Sequence, residues 1–376
     1  MGEVSDILVI GGGIAGISAA ARLAPEASVT VLEAEPMIGH HSSGRSAAIF
    51  LRNYGNATLR ALNAASEPFL AAPEGVSDTS LLSPRGELLL ATEDDVDRFE
   101  DYLDGSVGLE RITAAHACEL VPILRQEMIV AAAIEWDAQD IDVDRMLQGF
   151  ARRLRGHGGR IVTGAPAQSI SRRDGIWTVA TPAGSFAAPV LVNAAGGWAD
   201  TVARLAGVRP LGLQPLRRSA ALIPAPEGHD ISRWPLFANA GDQWYAKPEA
   251  GKLMISPADE DPIDPHDVWA DEMVIAEGLY RYEQAVTAPV TRVEHSWAGM
   301  RTFAPDRSPV VGFAAEDNGF FWLAGQGGYG MQTAPALSQL AADLCLGRLS
   351  PLPPVVLEAL SPKRAALHNR EDSRHE

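Results

Sequence analysis

The sequence predicts an α/β protein in which a nucleotide-binding domain with a central parallel sheet is interrupted by a second domain with a mixed or antiparallel sheet. Three observations support this fold class. An apolar segment at 6–10 runs directly into a glycine-rich turn and a helix. Apolar strand-like segments that end in small residues recur at 190–197 and 320–330, whereas short strands and proline-rich turns dominate 213–293. The first two observations are typical of parallel α/β sheets, and the third is typical of an antiparallel sheet.

The first segment carries a dinucleotide-binding pattern. Gly11, Gly13 and Gly16 have the spacing G-x-G-x-x-G between a strand and a helix. The first glycine permits a tight turn, the second lets a pyrophosphate approach the backbone, and the third lets the helix pack on the strand. The next strand ends in Glu33, whose carboxylate can bind a ribose diol and would repel a 2′-phosphate. The pattern argues against NADP and leaves NAD and FAD open.

The composition is that of a globular protein with an acidic balance. Of 376 residues, 46% are hydrophobic and 21% are charged, and the net charge is −17. We therefore expect neither nucleic acid nor an anionic membrane surface as a partner. Two cysteines provide no disulfide framework or metal cluster, and no apolar run is long enough to cross a membrane. We expect a cytoplasmic protein without stable membrane insertion, peripheral to a membrane at most.

The remaining elements follow from periodicity and from the residues at element ends. Thr113 is a candidate helix N-cap, and the glycines at 156–159 should end the helix before them. Helices are expected at 57–70, 93–103, 113–120, 141–155, 200–206, 271–285 and 331–345. Strands are expected at 87–91, 160–163, 177–180, 184–186, 218–223, 243–247, 252–256 and 320–324.

Three loops of small and polar residues are candidates for ligand contact, because such loops near a nucleotide fold are commonly functional. They are the segment 36–46, the turn Asn193-Ala194-Ala195-Gly196 and the run Gly327-Gly328-Tyr329-Gly330. The final helix begins just after the third loop, so its positive end can stabilise negative charge on a ligand.

These motifs together resemble the FAD-dependent D-amino-acid oxidase superfamily, which also contains glycine oxidase and sarcosine oxidase. Within it, the chain looks most like the bacterial D-arginine dehydrogenases, through the segments 41–48, 81–85, 209–215 and 326–330. The resemblance implies FAD rather than NAD. It implies a Rossmann-like FAD-binding domain at 1–80, 141–212 and 296–376, interrupted by a substrate-binding domain at 81–140 and 213–295. Because no cysteine lies near Arg301, where sarcosine oxidases attach their flavin, we expect non-covalent FAD.

The resemblance also implies which residues contact FAD. Gly44-Arg45-Ser46 would cover the pyrophosphate and the flavin ring, and the backbone of Val162 would bind the adenine. The expected FAD-binding residues are Gly11, Gly13, Ile14, Ala15, Gly16, Glu33, Ala34, His41, Ser42, Ser43, Gly44, Arg45, Ser46, Ala47, Ala48, Val162, Ala194, Ala195, Gly196, Trp198, Arg301, Gly327, Gly328, Tyr329, Gly330, Met331 and Gln332.

The implied reaction is oxidation of a D-amino acid at Cα by hydride transfer to flavin N5, followed by hydrolysis of the imino acid to a 2-oxo acid and ammonia. An arginine suits the substrate carboxylate because its guanidinium fork binds in bidentate fashion. The resemblance assigns this role to Arg218 and Arg301. Independently, Arg218 shares a strand face with Leu216 and Leu222, where an arginine is unusual unless it meets an anion. A buried structural ion pair is the alternative.

The resemblance names four further substrate-site residues. Tyr54 and Tyr245 match tyrosines that bind the substrate carboxylate or amine, although tyrosines also serve as packing. Gln332 matches a residue that meets the substrate amine and the flavin. Glu87 matches the glutamate that receives the cationic end of arginine or lysine substrates; the alternative is a solvated charge at a strand end.

The chain departs from the D-arginine dehydrogenases directly after Ala48. There Ile49-Phe50-Leu51 replaces a histidine followed by Tyr-Thr. Polar groups near the substrate become apolar, which weakens the expectation of D-arginine and allows a broader or more apolar range of D-amino acids.

Two other functions remain open from the sequence. A secondary-amine oxidase for sarcosine-like or cyclic imino-acid substrates would use the same FAD domain, although Glu87 with the paired arginines favours D-amino acids. A flavin-binding subunit without turnover would not need the Arg, Tyr and Gln set. The electron acceptor, oxygen or a quinone, stays undetermined. Adjacent His40 and His41 should point apart in an extended chain, so we expect no metal site.

Overall fold

A computed structural model describes residues 3–368 of the chain. Within that range the strands are β1 (Glu3–Val4), β2 (Ile7–Ile10), β3 (Val29–Leu32), β4 (Ile49–Phe50), β5 (Leu82–Pro84), β6 (Glu87–Ala91), β7 (Leu109–Ile112), β8 (Ala131–Glu135), β9 (Gln139–Ile141), β10 (Arg160–Val162), β11 (Ser169–Arg173), β12 (Ile176–Thr181), β13 (Gly184–Ala188), β14 (Val190–Asn193), β15 (Gln214–Pro224), β16 (Leu236–Asn239), β17 (Tyr245–Glu249), β18 (Lys252–Ser256), β19 (His295–Phe303), β20 (Val310–Phe313) and β21 (Phe320–Ala324). The α-helices of the same range are α1 (Ile14–Leu23), α2 (Ala57–Ala71), α3 (Val96–Leu103), α4 (Ala114–Leu120), α5 (Val143–Gly156), α6 (Ala199–Leu205), α7 (Glu272–Ala285), α8 (Gly330–Cys345) and α9 (Pro354–Leu360).

A six-stranded sheet forms the centre of the nucleotide-binding part. Its order is β10-β3-β2-β14-β21-β20, and all pairs are parallel except β20 with β21. Helices α1, α2, α5 and α8 bury one face, while α6 and a four-stranded sheet of order β1-β13-β12-β11 bury the other. Burial on both faces explains the continuous apolar runs of β2, β14 and β21. The α/β class is confirmed.

An eight-stranded sheet forms the second part, in the order β19-β15-β18-β17-β16-β6-β8-β7. Only β16 with β6 is parallel, so the expectation of a mixed sheet is confirmed. Helices α4 and α7 cover one face around buried Phe237 and Tyr282. The side chains on the other face of this sheet, among them Arg218 and Tyr245, face the six-stranded sheet across a cavity. A small sheet of order β4-β9-β5 lies at the junction of the two parts of the chain.

Four strands of the large sheet, β7, β8, β16 and β19, were not expected from the sequence. Strand β8 is rich in alanine, which has low strand propensity, and it is a strand because it lies between β6 and β7. Strand β19 mixes glycine and polar residues, yet nine residues pair with β15. The domain boundary placed at residue 296 falls inside β19; the other boundaries stay a prediction.

Helix ends agree with the sequence. The Thr113 side chain accepts a hydrogen bond from the amide of His116, as expected of an N-cap. Asn56, Asp142 and Asp271 cap α2, α5 and α7 in the same way. Among residues 3–368, no helix is both long enough and apolar enough to cross a membrane.

Candidate active site

A cavity of about 420 Å³ lies between the carboxyl ends of the parallel strands and the eight-stranded sheet. Carboxyl ends of parallel strands are the usual place for ligands in α/β folds. Of the residues expected from the sequence, those that line the cavity are Gly11, Gly13, Ile14, Ala15, Glu33, Ala34, His41, Ser42, Ser43, Arg45, Ser46, Ala47, Ala194, Ala195, Gly196, Trp198, Arg218, Tyr245, Arg301, Gly327, Gly328, Gly330 and Met331.

The glycine-rich turn at one end of the cavity has no room for side chains. Gly11 has φ of +113°, and a Cβ there would lie 2.3 Å from the carbonyl oxygen of Ala194. A Cβ on Gly16 would lie 2.0 Å from the carbonyl oxygen of Gly11. Gly13 is the N-cap of α1 without a side-chain cap, so the positive end of this helix faces the cavity.

Glu33 lies at the same end, directly after β3. Its Oε2 accepts a 2.5 Å hydrogen bond from the amide of Gly12, and its Oε1 accepts one of 2.8 Å from the amide of Glu35. These bonds fix the carboxylate and leave lone pairs free, because an ionised carboxyl group has about four acceptor positions.

The loop that contains Gly44 closes over the cavity through specific bonds. The hydroxyl of Ser43 accepts from the amide of Ile14 at 2.9 Å, and that of Ser42 donates to the carbonyl of Met300 at 2.6 Å. Arg45 donates to the carbonyl of Val268 at 2.9 Å and forms an ion pair with Asp267. Its side chain therefore joins this loop to the segment before α7.

His40 and His41 do not point apart as expected. The chain turns at these residues, so their rings contact each other edge to face at 4.8 Å. Both rings and Glu35 place one potential ligand atom each within 4.8 Å of one another. His41 Nε2 lies 2.9 Å from Glu35 Oε1, and its ring contacts that of Trp198. The expectation of divergent histidines is wrong, because it assumed an extended chain.

At the other end of the cavity, Arg301 lies among tyrosines. Its Nη1 donates a 3.3 Å hydrogen bond to the hydroxyl of Tyr54. A Cβ on Gly328 would lie 2.8 Å from the guanidinium carbon of Arg301, so only glycine leaves room for this side chain. Within residues 3–368, Arg301 forms no salt bridge with a carboxylate.

Tyr245 contributes its hydroxyl to the same end of the cavity. Burial by itself would raise the pKa of Tyr245, but the positive charges of Arg301 and Arg218 outweigh it and lower that pKa below its usual value. Two guanidinium groups beside this hydroxyl, together with hydrogen bonds to Ser256 and Arg218, account for the direction of the shift and make this end of the cavity suited to an anion.

Arg218 has features of both roles considered from the sequence, a binding site for a substrate carboxylate and a structural ion pair. It lines the cavity, yet its Nε donates to the carbonyl of Asp259 at 2.9 Å and its Nη2 pairs with Glu260 at 3.1 Å. Glu260 also pairs with Arg307. Part of the Arg218 charge is therefore neutralised, in contrast to that of Arg301.

With this geometry described, comparisons with known proteins place the chain. The model of the DAO family, described as FAD dependent oxidoreductase, matches residues 6–344. The chain belongs to this family. FAD is its cofactor, and the resemblance to this superfamily expected from the motifs is confirmed, whereas the closer likeness to the D-arginine dehydrogenases stays a prediction.

Curated relatives are distant in sequence. FAD-dependent oxidoreductase domain-containing protein 1 of Bos taurus is 24% identical, over 92% of this chain and 82% of its own length. Mitochondrial dimethylglycine dehydrogenase of Mus musculus is 25% identical, over 65% of this chain and 30% of its own length.

Solved structures share the fold over nearly the whole chain. Glycine oxidase from Geobacillus kaustophilus has a TM-score of 0.82 at 22% identity, covering 96% of this chain and 99% of that one. L-proline dehydrogenase from P. horikoshii has a TM-score of 0.81 at 23% identity, covering 96% and 98%.

The residues present fit FAD. The side-chain-free turn at Gly11, the positive end of α1 and the carboxylate of Glu33 supply the contacts that a pyrophosphate and a ribose need. Ala165, Pro166 and Ala167 also line the cavity and were missed. Their position just after the parallel strand β10 could have predicted that they line the cavity. Met254 and Trp297, missed as well, face the cavity only through strand pairing.

Eight expected residues do not line the cavity: Gly16, Gly44, Ala48, Tyr54, Glu87, Val162, Tyr329 and Gln332. Gly16 acts through packing, and the hydroxyl of Tyr54 accepts a hydrogen bond from Arg301, which does line the cavity. The carbonyl of Val162 accepts from the amide of Glu33 at 2.8 Å, which is a strand contact. The amide group of Gln332 binds the backbone of Leu51 and the side chain of Asn63, and its expected contact with the substrate and the flavin stays a prediction.

Glu87 is also placed differently from the expectation. It is 6% exposed and lies directly opposite Glu135 in the pairing of β6 with β8. Burial, and next the charge of Glu135, raise the pKa of Glu87 to about 8. The alternative of a solvated charge is wrong, because Glu87 is buried; a cation-binding role stays a prediction.

Proposed function

We propose that the chain oxidises free amino acids at Cα with FAD, and that D-amino acids of a broad range are its substrates. Arg301 carries this proposal. It presents a guanidinium to the cavity without a carboxylate partner among the described residues, and two tyrosines lie close to it. A half-buried cation of this kind at a cavity wall is suited to a substrate carboxylate.

The residues of this chain would bind and orient the substrate. Arg301 would bind the carboxylate, with the hydroxyl of Tyr54 holding the guanidinium in place at 3.3 Å. Tyr245 would donate a further hydrogen bond, and Arg218 would add positive charge from β15. When bound, FAD supplies the two-electron chemistry by accepting the hydride.

The wall beside this cluster is apolar. Ala220 and Trp297 are directly paired on β15 and β19, and Met254 lies on the adjacent strand β18, all three lining the cavity. This wall suits uncharged side chains. Glu87 lies outside the wall and holds a proton near neutral pH, which argues for a broad range rather than for cationic substrates alone.

Anaerobic flavin reduction tests the proposal. The purified protein should be yellow, and the flavin absorbance should bleach on addition of D-amino acids, tested beside L-amino acids, glycine, sarcosine and proline. Bleaching by several D-amino acids supports the proposal. A colourless protein that takes up no FAD, or one that no amino acid reduces, contradicts it.

Oxidation of small secondary amines is the second candidate. The position of Glu87 outside the cavity wall favours it, because without a carboxylate there the apolar wall suits small or cyclic substrates. Structural relatives include a glycine oxidase and an L-proline dehydrogenase. Bleaching by sarcosine or proline, without bleaching by D-amino acids, would decide for this candidate.

We infer non-covalent attachment of FAD. Neither Cys118 nor Cys345 is among the residues that line the cavity. Acid denaturation followed by centrifugation should release all flavin into the supernatant; flavin that stays with the precipitate contradicts the inference. Stopped-flow reoxidation by oxygen and by a soluble quinone would identify the acceptor.

A further inference from the structure

An irregular segment, Leu51–Tyr54, lies between the two parts of the chain and ends at the proposed carboxylate site. Leu51 is 4% exposed and Asn53 is 2% exposed, although the segment is neither helix nor strand. Buried irregular backbone needs partners for its polar groups. Gln332 and Asn63 bind the backbone of Leu51, and Asn53 binds both backbone groups of Val107.

Glu135 is the charged partner of this segment. It is 2% exposed. One carboxylate oxygen accepts from the amide of Arg52 at 2.9 Å, and the other accepts from the Asn53 side chain at 2.7 Å. Hydrogen bonds to a carboxylate are roughly twice as strong as neutral ones. Glu135 is therefore a charged anchor of Arg52 and Asn53, beside the bonds of Asn53 to Val107 and of Asn63 to the carbonyls of Arg52 and Tyr54.

Tyr54 follows these two residues directly. Its hydroxyl accepts from Arg301, and its ring contacts that of Tyr329 at 4.8 Å. A shift of the segment would move this hydroxyl away from the guanidinium. Glu135 does not touch Arg301, so its influence on the site would pass through Tyr54.

Glu135 lies next to a second buried acid. Glu87 is directly opposite it on β6, so the two side chains lie on the same face, with Cβ atoms about 5 Å apart. Glu87 is faced by Glu135 from β8, by Tyr102 from α3 at 3.3 Å, and by Asp242 from the turn before β17. Glu135 in turn is faced by Arg52 and Asp137.

The two acids differ in their donors. Burial raises the pKa of Glu135, but both of its oxygens accept N–H groups, which favours the carboxylate form, whereas Glu87 accepts only the Tyr102 hydroxyl among the described residues. Two adjacent buried carboxylates cannot both ionise without a large cost. Burial and the charge of Glu135 accordingly raise the pKa of Glu87 to about 8.

We propose that Glu135 is a positioning residue that holds Tyr54 against Arg301, and that it does so as a carboxylate because Glu87 holds the shared proton. The inference rests on the proposed function, since the group being positioned is the substrate carboxylate site. It gives Glu87 a role that requires no contact with substrate.

The first test compares Glu135→Gln with the wild type. KM for neutral D-amino acids and the Kd of benzoate, a carboxylate without an amine, should both rise about tenfold, because a charge-assisted contact is lost. Benzoate binding is followed by the flavin absorbance and by calorimetry. The maximum rate of flavin reduction should change less than KM does. Unchanged KM and Kd would overturn the proposal.

A double-mutant cycle separates positioning from a general loss of stability. If Glu135 acts through Tyr54, Glu135→Gln in a Tyr54→Phe background should weaken benzoate by less than about twofold further. If the two substitutions raise the Kd for benzoate by independent factors that multiply in the double variant, Glu135 does not act through Tyr54 and the proposal is overturned. Asp137→Asn is the matched control, because it removes an exposed carboxylate that bonds, among the described residues, the side chain of Arg52 and no backbone group of the segment; the Kd of this variant for benzoate should equal that of the wild type.

The pH dependence of benzoate binding tests whether Glu87 holds the proton. It can be measured in the wild type even if Glu135→Gln folds poorly. Benzoate stays ionised above pH 6, so its Kd in the wild type should rise above pH 8, where Glu87 ionises beside Glu135 and disturbs the segment. Glu87→Gln should remove this rise. A rise that persists in Glu87→Gln would assign it to another group, such as Tyr245, and overturn the shared proton.

Failure of this inference and failure of the proposed function give different results. If no amine reduces the flavin but benzoate binding depends on Glu135, the proposed function fails and the inference stands. If D-amino acids reduce the flavin and Glu135→Gln binds benzoate as the wild type does, the proposed function stands and the inference about Glu135 fails.

Discussion

The two ends of the cavity are built in different ways. The FAD end is formed by backbone: Gly11, Gly13 and Gly16 are within six residues of one another, and their role is to have no side chain. The substrate end is formed by side chains from separate strands, with Arg301 on β19, Arg218 on β15 and Tyr245 on β17. Local sequence therefore specifies the first end, and strand pairing specifies the second. Changes at the two ends should consequently differ in kind and in size.

The largest effect is expected at the FAD end. Gly11→Ala places a Cβ 2.3 Å from the carbonyl of Ala194 at φ of +113°. The turn must shift to relieve this clash and a strain of about 1–3 kcal/mol; a shifted turn no longer fits the pyrophosphate, so the Kd for FAD should rise about 100-fold or more. Flavin content and FAD titration measure it. Gly156→Ala, where a Cβ meets nothing within 4 Å, is the control and should retain its flavin. Retained flavin in Gly11→Ala would contradict a backbone-built FAD end.

The next largest effect separates the two arginines of the substrate end. Arg301→Ala should raise KM about 100-fold and Arg218→Ala about tenfold, because each lost charge-assisted hydrogen bond costs about 1.5–3 kcal/mol. Arg218 is already engaged by Glu260, whereas the hydrogen-bond partner of Arg301 within residues 3–368 is a tyrosine. Steady-state kinetics and benzoate titration measure both. Arg111→Ala, at an exposed ion pair with Glu100, is the control. Equal or reversed effects would show that Arg218 is the main clamp.

An effect on stability is expected at Glu87. Its pKa of about 8 in the folded protein exceeds the ordinary 4.5, so the folded state binds more protons than the unfolded state between these values. The free energy of unfolding should therefore fall as pH rises through this window, by at most about 5 kcal/mol, and stay lower above it. Glu87→Gln has no such proton. The difference between its melting temperature and that of the wild type should therefore shift in favour of the variant as pH rises from 5 to 9. Parallel curves would mean that Glu87 titrates normally.

The smallest effect concerns substrate charge. Because Glu87 lies outside the cavity wall and holds a proton at neutral pH, D-arginine and its neutral analogue D-citrulline should differ in kcat/KM by less than about threefold at pH 7, or about 0.7 kcal/mol. Competition between the two substrates measures this ratio. A preference for D-arginine of tenfold or more would indicate direct contact with a carboxylate and restore the cation-binding role of Glu87.

The contacts of Gln332 and Glu135 could not be predicted from the sequence. Gln332 lies at the start of α8, beside glycines that do line the cavity, and its expected contact with the substrate followed from that neighbourhood. Its amide satisfies buried backbone at Leu51, which is distant in sequence. Glu135 ends an alanine-rich segment that was not expected to be a strand, so nothing in the sequence placed it opposite Glu87.

The sequence by itself determined the α/β class, the parallel strands and helices of the FAD part and the glycine turn, because apolar periodicity and glycine conformation act over a few residues. Only the tertiary structure decided that, among residues 3–368, Arg218 has a carboxylate partner and Arg301 has none, and that Glu87 and Glu135 lie opposite each other. Those facts depend on the register of strands far apart in the chain, such as Leu216 opposite Arg301. Strand register is set by the packing of whole sheet faces rather than by local sequence.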